Sequence, residues 1–180
     1  AKECDRLEAL ISEILELARL DAEPGATSAV DLSSIFQQLE ENARIVSPAQ
    51  RIDSRVETDI VLHGWPDMLE RALDNLLRNA LRFNPEGAPI ELRASTDDDW
   101  LMLTIRDHGP GVDETHLAQL SEPFFRAPGQ TTAGHGLGLA IARRAAERHG
   151  GELLLGNHPD GGFIASLKLP SPAENLQRPD

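Results

Sequence analysis

The chain has 180 residues, 40% of them hydrophobic, and a formal net charge of −13 at pH 7, which allows one domain with a real core and one additional element. This charge argues against nonspecific binding to nucleic acid or to an anionic membrane surface, because both repel it. The one cysteine, Cys4, excludes an internal disulfide framework, and no signal peptide or apolar run of about twenty residues occurs, so we expect a cytoplasmic segment that does not enter a bilayer.

The first predicted element is an amphipathic helix over residues 2–20. Apolar side chains recur there at steps of three and four residues between charged ones. A single helix cannot bury such a stripe by itself, and Pro24-Gly25 breaks the pattern. We assign residues 1–22 to this helix, 23–27 to a linker, 28–170 to one folded domain and 171–180 to a disordered tail.

The domain is predicted to begin with a helix from Ser33 to about Val46 and strands between Arg51 and Leu62. A longer helix starts at Pro66, because proline is tolerated in a first helical turn, and it carries one continuous apolar face.

Three polar residues share the border of that face. At about 100° per residue, Asn75, Asn79 and Arg82 lie within roughly 60° of each other around the helix. The amide oxygen of Asn79 suits Mg²⁺, which prefers oxygen ligands, and Asn75 can orient the hydration shell of the ion. Taken alone, the same residues also fit ordinary polar side chains at the edge of a core.

Residues 89–95 and 100–106 are predicted to form a hairpin around an acidic turn. The alternating leucine and isoleucine residues of the second strand point to one face, and Asp107 has the same parity. A carboxylate at the end of a buried row needs a hydrogen-bond donor. Gly109-Pro110-Gly111 then turns the chain tightly, which leaves room for a flat base beside the backbone, with Val112 as an apolar contact.

A short helix around Glu114 to Leu120 is predicted next, followed by the motif Glu122-Pro123-Phe124-Phe125-Arg126. Residues 127–133 are small and polar, so we expect a mobile segment. Gly134-x-Gly136-x-Gly138 leads into a helix from Leu137 to about His149, where backbone N–H groups and the helix dipole can face an anion.

The glycine pattern is neither of two common phosphate-binding motifs. Leu139 occupies the last position of Gly-x-Gly-x-x-Gly, and no Gly-Lys-Ser/Thr occurs, so Rossmann and P-loop sites are rejected. Strands at 152–155 and 163–169 complete the predicted sheet.

Together, the asparagine, Asp-x-Gly-x-Gly, Glu-Pro-Phe-Phe-Arg and glycine motifs, in this order, resemble the ATP-binding domain of bacterial sensor histidine kinases. That domain belongs to the wider GHKL family, which includes gyrase, the MutL repair proteins and a heat-shock chaperone. The resemblance covers residues 28–170. It implies an α/β fold of the α+β two-layer sandwich kind, in which helices cover one face of a mixed, mostly antiparallel sheet (the Bergerat-type fold). Residues 2–20 also resemble the second helix of a kinase dimerisation hairpin.

The resemblance also implies roles for individual residues. Asp107 binds the adenine amine, Asn79 holds Mg²⁺, and Arg82 and Arg126 face the phosphates beneath a lid whose base the paired phenylalanines anchor. The full set of expected nucleotide-binding residues is Asn75, Asn79, Arg82, Phe83, Asp107, Gly109, Gly111, Val112, Arg126, Gly134, His135, Gly136, Leu137, Gly138 and Leu139. His135 stands where the family commonly has threonine.

We therefore expect a domain that binds ATP and Mg²⁺. In the intact protein it would phosphorylate a histidine on the hairpin of a homodimer for relay to a response-regulator receiver domain, and the parent would be an inner-membrane sensor. No convincing acceptor exists in this segment, so we expect no catalytic residue here and no autophosphorylation. The histidines considered are His63, His108, His116, His135, His149 and His158.

Other functions stay open at this point. A gyrase- or MutL-like ATPase would need a glutamate at the position of Asn75, since an amide cannot act as a base. A nonenzymatic interaction module, derived from a kinase that has lost nucleotide binding, is a second alternative. An anti-sigma serine kinase is a third, and it would not carry the amino-terminal hairpin helix.

Overall fold

The structure is a computed structural model that describes residues 7, 10–15, 17–18, 26–57, 60, 62–97, 99–128 and 134–170. Residue 7 and residues 10–15 and 17–18 are helical, as predicted for the amino-terminal helix. Within this helix, Leu10 and Leu17 pack against the core of the domain, whereas Ile11 and Leu15 are exposed. Among the described residues, no helix is both long and apolar enough to cross a bilayer.

The domain contains three α-helices, one 3-10 helix and seven strands within the described residues. Their bounds, in chain order, are β1 Ser28–Val30, α1 Leu32–Val46, β2 Ile52–Val56, β3 Leu62–Gly64, α2 Pro66–Phe83, β4 Ile90–Asp97, β5 Trp100–Arg106, the 3-10 helix Glu114–Gln119, α3 Gly138–Arg148, β6 Glu152–Asn157 and β7 Phe163–Pro170.

Five strands form the main sheet in the order β2-β4-β5-β7-β6. The β2–β4 pair is parallel and the other three pairs are antiparallel. Asp97 pairs with Trp100, so β4 and β5 form the predicted hairpin, and β7 then pairs with β5. The mixed, mostly antiparallel sheet predicted from the sequence is therefore confirmed.

One face of this sheet is buried beneath the helices. The inward side chains of β4, β5 and β7 are at most 5% exposed, and α2 and α3 pack on them. Their outward neighbours carry charges, such as Glu91, Arg93 and Arg106, which pair with each other. This alternation follows from the two-residue period of a strand. It gives the two-layer sandwich that the sequence predicts.

Helix ends follow the local sequence. Asp31 caps α1 by accepting the Ser34 N–H at 3.1 Å. Pro66 stands in the first turn of α2, where its missing N–H costs no helical bond. Helix α3 ends at Arg148 with His149 as its C-cap, and Gly150 follows with a φ of 76°.

Three details differ from the sequence-based expectation. The stretch from Arg51 to Leu62 supplies strands to two separate sheets, because β3 pairs with β1 and not with the main sheet. Strand β1 was not predicted. The short helix at residues 114–119 is a 3-10 helix. The division into helix, linker, domain and tail stays a prediction, since most of residues 1–25 and all of 171–180 lie outside the described residues.

Candidate functional site

A cavity of about 1330 Å³ opens between α2, the loop after β5 and the segment that leads into α3. Of the fifteen residues expected from the sequence, all line this cavity except Gly109 and Leu137. Gly109 lies behind the cavity wall, against Phe83 and Asp107. Leu137 is fully buried in the core directly before α3, so its side chain supports the wall and does not face the cavity.

Asp107 is the most buried polar group in the cavity wall, at 2% exposure. Its Oδ1 accepts the N–H groups of Gly109 at 2.8 Å and of Phe163 at 3.2 Å. Its Oδ2 has no donor among the described residues. Burial raises the pKa of Asp107, and the two backbone N–H groups partly offset that rise. The carboxylate is thus fixed through one oxygen and leaves the other for a ligand.

The loop after Asp107 lies close to neighbouring chain. A Cβ at Gly109 would be 2.6 Å from the carbonyl oxygen of Phe83, which leaves room only for glycine. Gly111 has a φ of 72°, a backbone conformation that glycine adopts without strain. Val112 follows and presents its partly buried side chain to the cavity and the core. Gly111 and Val112 therefore line the cavity next to the Asp107 carboxylate.

Helix α2 brings Asn75, Asn79 and Arg82 to the cavity, as the helical geometry predicts. Asn75 donates through Nδ2 to the carbonyl of Arg71 at 2.9 Å, and its Oδ1 faces the start of α3, where a Cβ at Gly138 would lie 3.0 Å away. The side chain of Asn79 has no hydrogen-bond partner among the described residues. Its amide oxygen is therefore available to a ligand or a metal ion.

Positive charge gathers in the part of the cavity wall that Arg82, Arg126 and Gly134 form. Burial lowers the pKa of Arg82, and the like charge of Arg126 lowers it further, while Glu13 opposes both effects. The Arg82 guanidinium lies against Gly134, where a Cβ would be 2.5 Å from Nη1. Two guanidinium groups near one wall give an overall acidic chain a local site for anions.

The glycine segment lies between this wall and α3. Gly136 has a φ of 76°, and a Cβ there would be 2.6 Å from the Phe125 carbonyl oxygen. Its own carbonyl accepts the Phe124 N–H at 3.0 Å, which ties the segment to the Glu-Pro-Phe-Phe-Arg motif. Phe125 packs on the core, whereas the Phe124 side chain is 59% exposed and its backbone has a φ of 66°. That both phenylalanines anchor the lid stays a prediction. Residues 129–133, in the expected mobile segment, lie outside the described residues.

Glu13 is a cavity residue that the sequence did not indicate. Its Oε2 lies 3.3 Å from Nδ1 of His135, and neither atom makes a hydrogen bond or contacts solvent. A carboxylate from the amino-terminal helix thus stands beside the arginine and glycine wall. Ile45, Val46 and His116 also line the cavity without having been expected.

The described residues contain no group of three or more His, Cys, Asp or Glu side chains arranged to hold a metal ion. A metal at Asn79 would therefore depend on one amide oxygen together with water and ligand oxygens. Mg²⁺ commonly binds in this way at phosphate sites.

Comparison with known proteins agrees with this geometry. Residues 64–173 match the family model described as "Histidine kinase-, DNA gyrase B-, and HSP90-like ATPase". The sensor protein QseC of Salmonella typhi is 36% identical over 171 residues, which cover 91% of this chain and 37% of that protein. The chain therefore spans little more than a third of this relative.

Solved structures give the same result. The mycobacterial sensor histidine kinase MprB superposes with a TM-score of 0.73 at 28% identity, covering 81% of this chain and 98% of that one. Full-length ShkA in complex with AMPPNP superposes with a TM-score of 0.81 at 27% identity, covering 94% of this chain and 37% of that one. The chain belongs to the family of histidine kinase-, DNA gyrase B-, and HSP90-like ATPases, as a catalytic ATP-binding domain of the sensor histidine kinase type.

Proposed function

We propose that this chain binds ATP with Mg²⁺ in the cavity and, within the full-length protein, presents the terminal phosphoryl group to a histidine on a dimeric helical hairpin. The phosphohistidine then passes its phosphoryl group to an aspartate of a response-regulator receiver domain. The parent is proposed to be an inner-membrane sensor. The ShkA structure contains AMPPNP, an analogue of ATP, in a protein with the same fold.

One observation carries the adenine part of the proposal. Asp107 is 2% exposed, its Oδ1 is satisfied by two backbone N–H groups, and its Oδ2 has no donor among the described residues. The carboxylate is largely removed from water while Oδ2 is left for a donor on the cavity side, so a ligand that supplies an N–H group there is favoured. The exocyclic amine of adenine is such a group, and the base would lie in the cavity beside Gly111 and Val112.

The remaining parts of the cavity suit a magnesium triphosphate. Mg²⁺ would be held by the Asn79 amide oxygen, and the ion supplies charge neutralisation for the phosphates when bound. Arg82, Arg126 and the backbone N–H groups at the start of α3 supply positive charge and donors for the phosphate oxygens. In phosphoryl transfer most of the catalysis is positioning and electrostatic stabilisation, which this set of groups can provide.

The acceptor histidine is proposed to lie outside this segment. His149, the most constrained of the histidines, accepts the Trp65 N–H at Nε2 and donates from Nδ1 to the Ala145 carbonyl, so both ring nitrogens are occupied. His135 faces Glu13 inside the cavity. Neither is free to receive a phosphoryl group from a bound nucleotide.

Dimerisation through the amino-terminal helix belongs to the same proposal. Its exposed apolar side chains recur at steps of four and three residues: Leu7 is 51% exposed, Ile11 55% and Ile14 43%. Such a stripe is stabilised by a second helix of the same kind. A second copy of the chain would supply it.

Hydrolysis of ATP as the main activity is disfavoured by Asn75. An amide cannot take a proton from water, and the Nδ2 of Asn75 is already bound to the Arg71 carbonyl. A gyrase-like ATPase would require a base at this position.

Titration calorimetry with ATP and with AMPPNP, each with and without Mg²⁺, tests the proposal. We expect saturable binding that Mg²⁺ strengthens, negligible phosphate release, and no acid-labile label on this chain after incubation with γ-labelled ATP. Absence of binding would support a nonenzymatic module instead. Rapid phosphate release would support the ATPase, and labelling of this chain alone would contradict the assignment of the acceptor.

A further inference from the structure

Two asparagines outside the cavity hold the loop that is proposed to contact the adenine base. The loop runs from Asp107 to Val112, and the hydrogen bond from Gly109 to the Asp107 side chain is its main internal contact. Asn84 and Asn157 bind backbone groups at its two ends, from elements far away in sequence. Neither asparagine lines the cavity.

Asn84 holds the end of the loop next to Asp107. It follows the last residue of α2, and its Oδ1 accepts the His108 N–H at 2.8 Å. Its Nδ2 donates to the Ala88 carbonyl at 2.8 Å and to Gln50 Oε1 at 3.3 Å. Both donors and the acceptor are therefore used, which fixes the orientation of the amide. The helix that carries Asn79 is thus joined to the residue after Asp107.

Asn157 holds the other end. Its Oδ1 accepts the Val112 N–H at 2.8 Å, and its Nδ2 donates to the Val112 carbonyl at 2.7 Å. This reciprocal pair copies the bonding between two antiparallel strands, and it needs a donor and an acceptor on one side chain. The amide also lies against Gly111, where a Cβ would be 2.6 Å from Oδ1.

The Asn157 bond is linked to the carboxylate through the sheet. Asn157 is the last residue of β6 and pairs with Phe163 of β7, whose N–H binds the Asp107 Oδ1. The same pair of residues therefore fixes both the carboxylate and the Val112 side of the cavity. The separation between these two walls decides which base fits.

Resting on the proposed nucleotide binding, we propose that Asn84 and Asn157 are positioning residues for base selectivity. They set the distance and angle between the Asp107 carboxylate and the Gly111–Val112 wall without contacting the nucleotide. Their loss lets the loop move, so the advantage of adenine over a base with an oxygen in place of its exocyclic amine falls. Binding of the phosphates, which depends on α2 and α3, is unchanged.

The test compares three probes on the full chain: ATP, ITP and inorganic tripolyphosphate, each with Mg²⁺. ITP has a carbonyl oxygen where ATP has the amine, and tripolyphosphate has no base. For Asn84→Leu and Asn157→Leu we expect about tenfold weaker ATP binding, since each loses two or more hydrogen bonds of modest net strength. ITP and tripolyphosphate affinities are expected to change less than about twofold.

Asn157→Asp provides the conservative comparison: it keeps the acceptor for the Val112 N–H, while the donor is replaced by an oxygen that faces the Val112 carbonyl. We expect an ATP affinity between wild type and Asn157→Leu. Glu152→Leu, an exposed change at the other end of β6, is the matched control and should leave the ATP/ITP ratio at the wild-type value.

Each outcome decides the proposal. The proposal would be overturned if both leucine variants kept the wild-type ratio of ATP to ITP affinity. It would also be overturned if the affinities for all three probes fell equally, because a merely structural role predicts that result. If Asn84→Leu does not fold, the exposed Asn157 decides alone, with melting temperature as the check. If the wild-type chain binds none of the probes, the proposed nucleotide binding itself fails. If the wild-type chain binds ATP and the leucine variants keep its ATP/ITP affinity ratio, only the role of the two asparagines fails.

Discussion

The two ends of the cavity are built differently. At the part proposed to bind adenine (the base end), the Asp107 carboxylate, the Asn84 amide and the Asn157 amide are all bonded to backbone groups of the chain. At the part proposed to bind the phosphates (the phosphate end), Asn79 has no hydrogen-bond partner among the described residues, and the Glu13–His135 contact has no hydrogen bond. The base end is preorganised before a ligand arrives, whereas the phosphate end gains its bonds from the ligand.

This difference suits a kinase domain. A rigid base site provides selectivity, because a fixed acceptor discriminates between donors and acceptors on the incoming base. A looser phosphate site can bind the triphosphate in more than one arrangement. Such freedom suits transfer of the terminal phosphoryl group to an acceptor on another structural element. Ligands that contact one end or both ends of the cavity can separate the two contributions.

The largest effect is expected for Asp107→Asn. The asparagine Oδ1 still accepts the Gly109 and Phe163 N–H groups, but its Nδ2 then opposes the adenine amine. Losing a charge-assisted hydrogen bond and placing two donors together predicts about a 100-fold loss of affinity for AMP and ATP alike. Calorimetry measures both ligands, and tripolyphosphate binding should be retained.

The same variant should not unfold the domain. Burial raises the pKa of Asp107, so the ionised carboxylate costs folding free energy at neutral pH, and this cost disappears as the pH falls through the raised pKa. The neutral amide avoids that cost, so the melting temperature at pH 7 should equal or exceed that of wild type. A strongly lowered melting temperature would show that the carboxylate serves the fold and not the ligand.

A smaller and more selective effect is expected for Arg82→Gln. The guanidinium belongs to the proposed phosphate wall and is only partly buried, so its contribution is partly screened by solvent. We predict about tenfold weaker ATP binding that depends on salt, and little change for AMP. Arg55→Gln, an exposed arginine on β2, is the control. Equal losses for AMP and ATP would remove the distinction between the two ends.

Sequence patterns predicted most of the fold and most of the cavity wall. Period and parity identified α2 and the inward rows of β5 and β7, and they placed Asp107 at the end of a buried row. The glycines before and after α3 identified that helix. Strands β1 and β3 have three residues each, which is too short for an alternating pattern. The pairing of β1 with β3 was therefore not predictable.

The residues that were missed depend on contacts distant in sequence. Asn84 binds a residue 24 positions away and Asn157 one 45 positions away, so a local reading finds only a residue after a helix and a residue at a strand end. Glu13 was missed because the packing of the amino-terminal helix on the domain has no local signature. A glutamate at this position of an amphipathic helix is equally compatible with the solvent-facing side.

A pH effect on stability is expected at His149, which follows the opposite end of α3 from the glycine segment. His149 joins the start of α2 to the end of α3, since its Nε2 accepts the Trp65 N–H at 3.1 Å and its Nδ1 donates to the Ala145 carbonyl at 2.8 Å. Burial lowers the pKa of His149, and the bond to Ala145 offsets part of this shift. The folded state therefore binds the proton less well than the unfolded state.

The sign of the effect follows from this linkage. The stability that neutral His149 contributes is complete above the unfolded-state pKa and is lost as the pH falls below it, by at most about 1.4 kcal/mol per pH unit. Thermal unfolding from pH 7.5 to 5 should show a steeper loss in wild type than in His149→Gln. Substituting the exposed His63 should leave the wild-type slope in place. Parallel slopes for wild type and His149→Gln would contradict this assignment.

The smallest effect is expected at the contact between the amino-terminal helix and the phosphate wall. The Glu13 carboxylate lies 3.3 Å from His135 and interacts with the charge of Arg82. Its negative charge therefore cancels part of the positive potential that would attract a phosphate. Removing its charge in Glu13→Gln should strengthen ATP binding about two- to fivefold, the size expected for a partly exposed charge pair. AMP, which lacks the terminal phosphates, should respond less.

Glu41→Gln, on the exposed side of α1, removes the same charge away from the cavity and should leave ATP affinity unchanged. The increase in ATP affinity of Glu13→Gln should become smaller as salt is added, because screening weakens the repulsion between Glu13 and the phosphates that the substitution removes. Weaker ATP binding in Glu13→Gln would instead mean that the carboxylate helps to position His135 or Arg82 for the ligand. In that case the helix would complete the phosphate end, and the contrast with the preorganised base end would narrow.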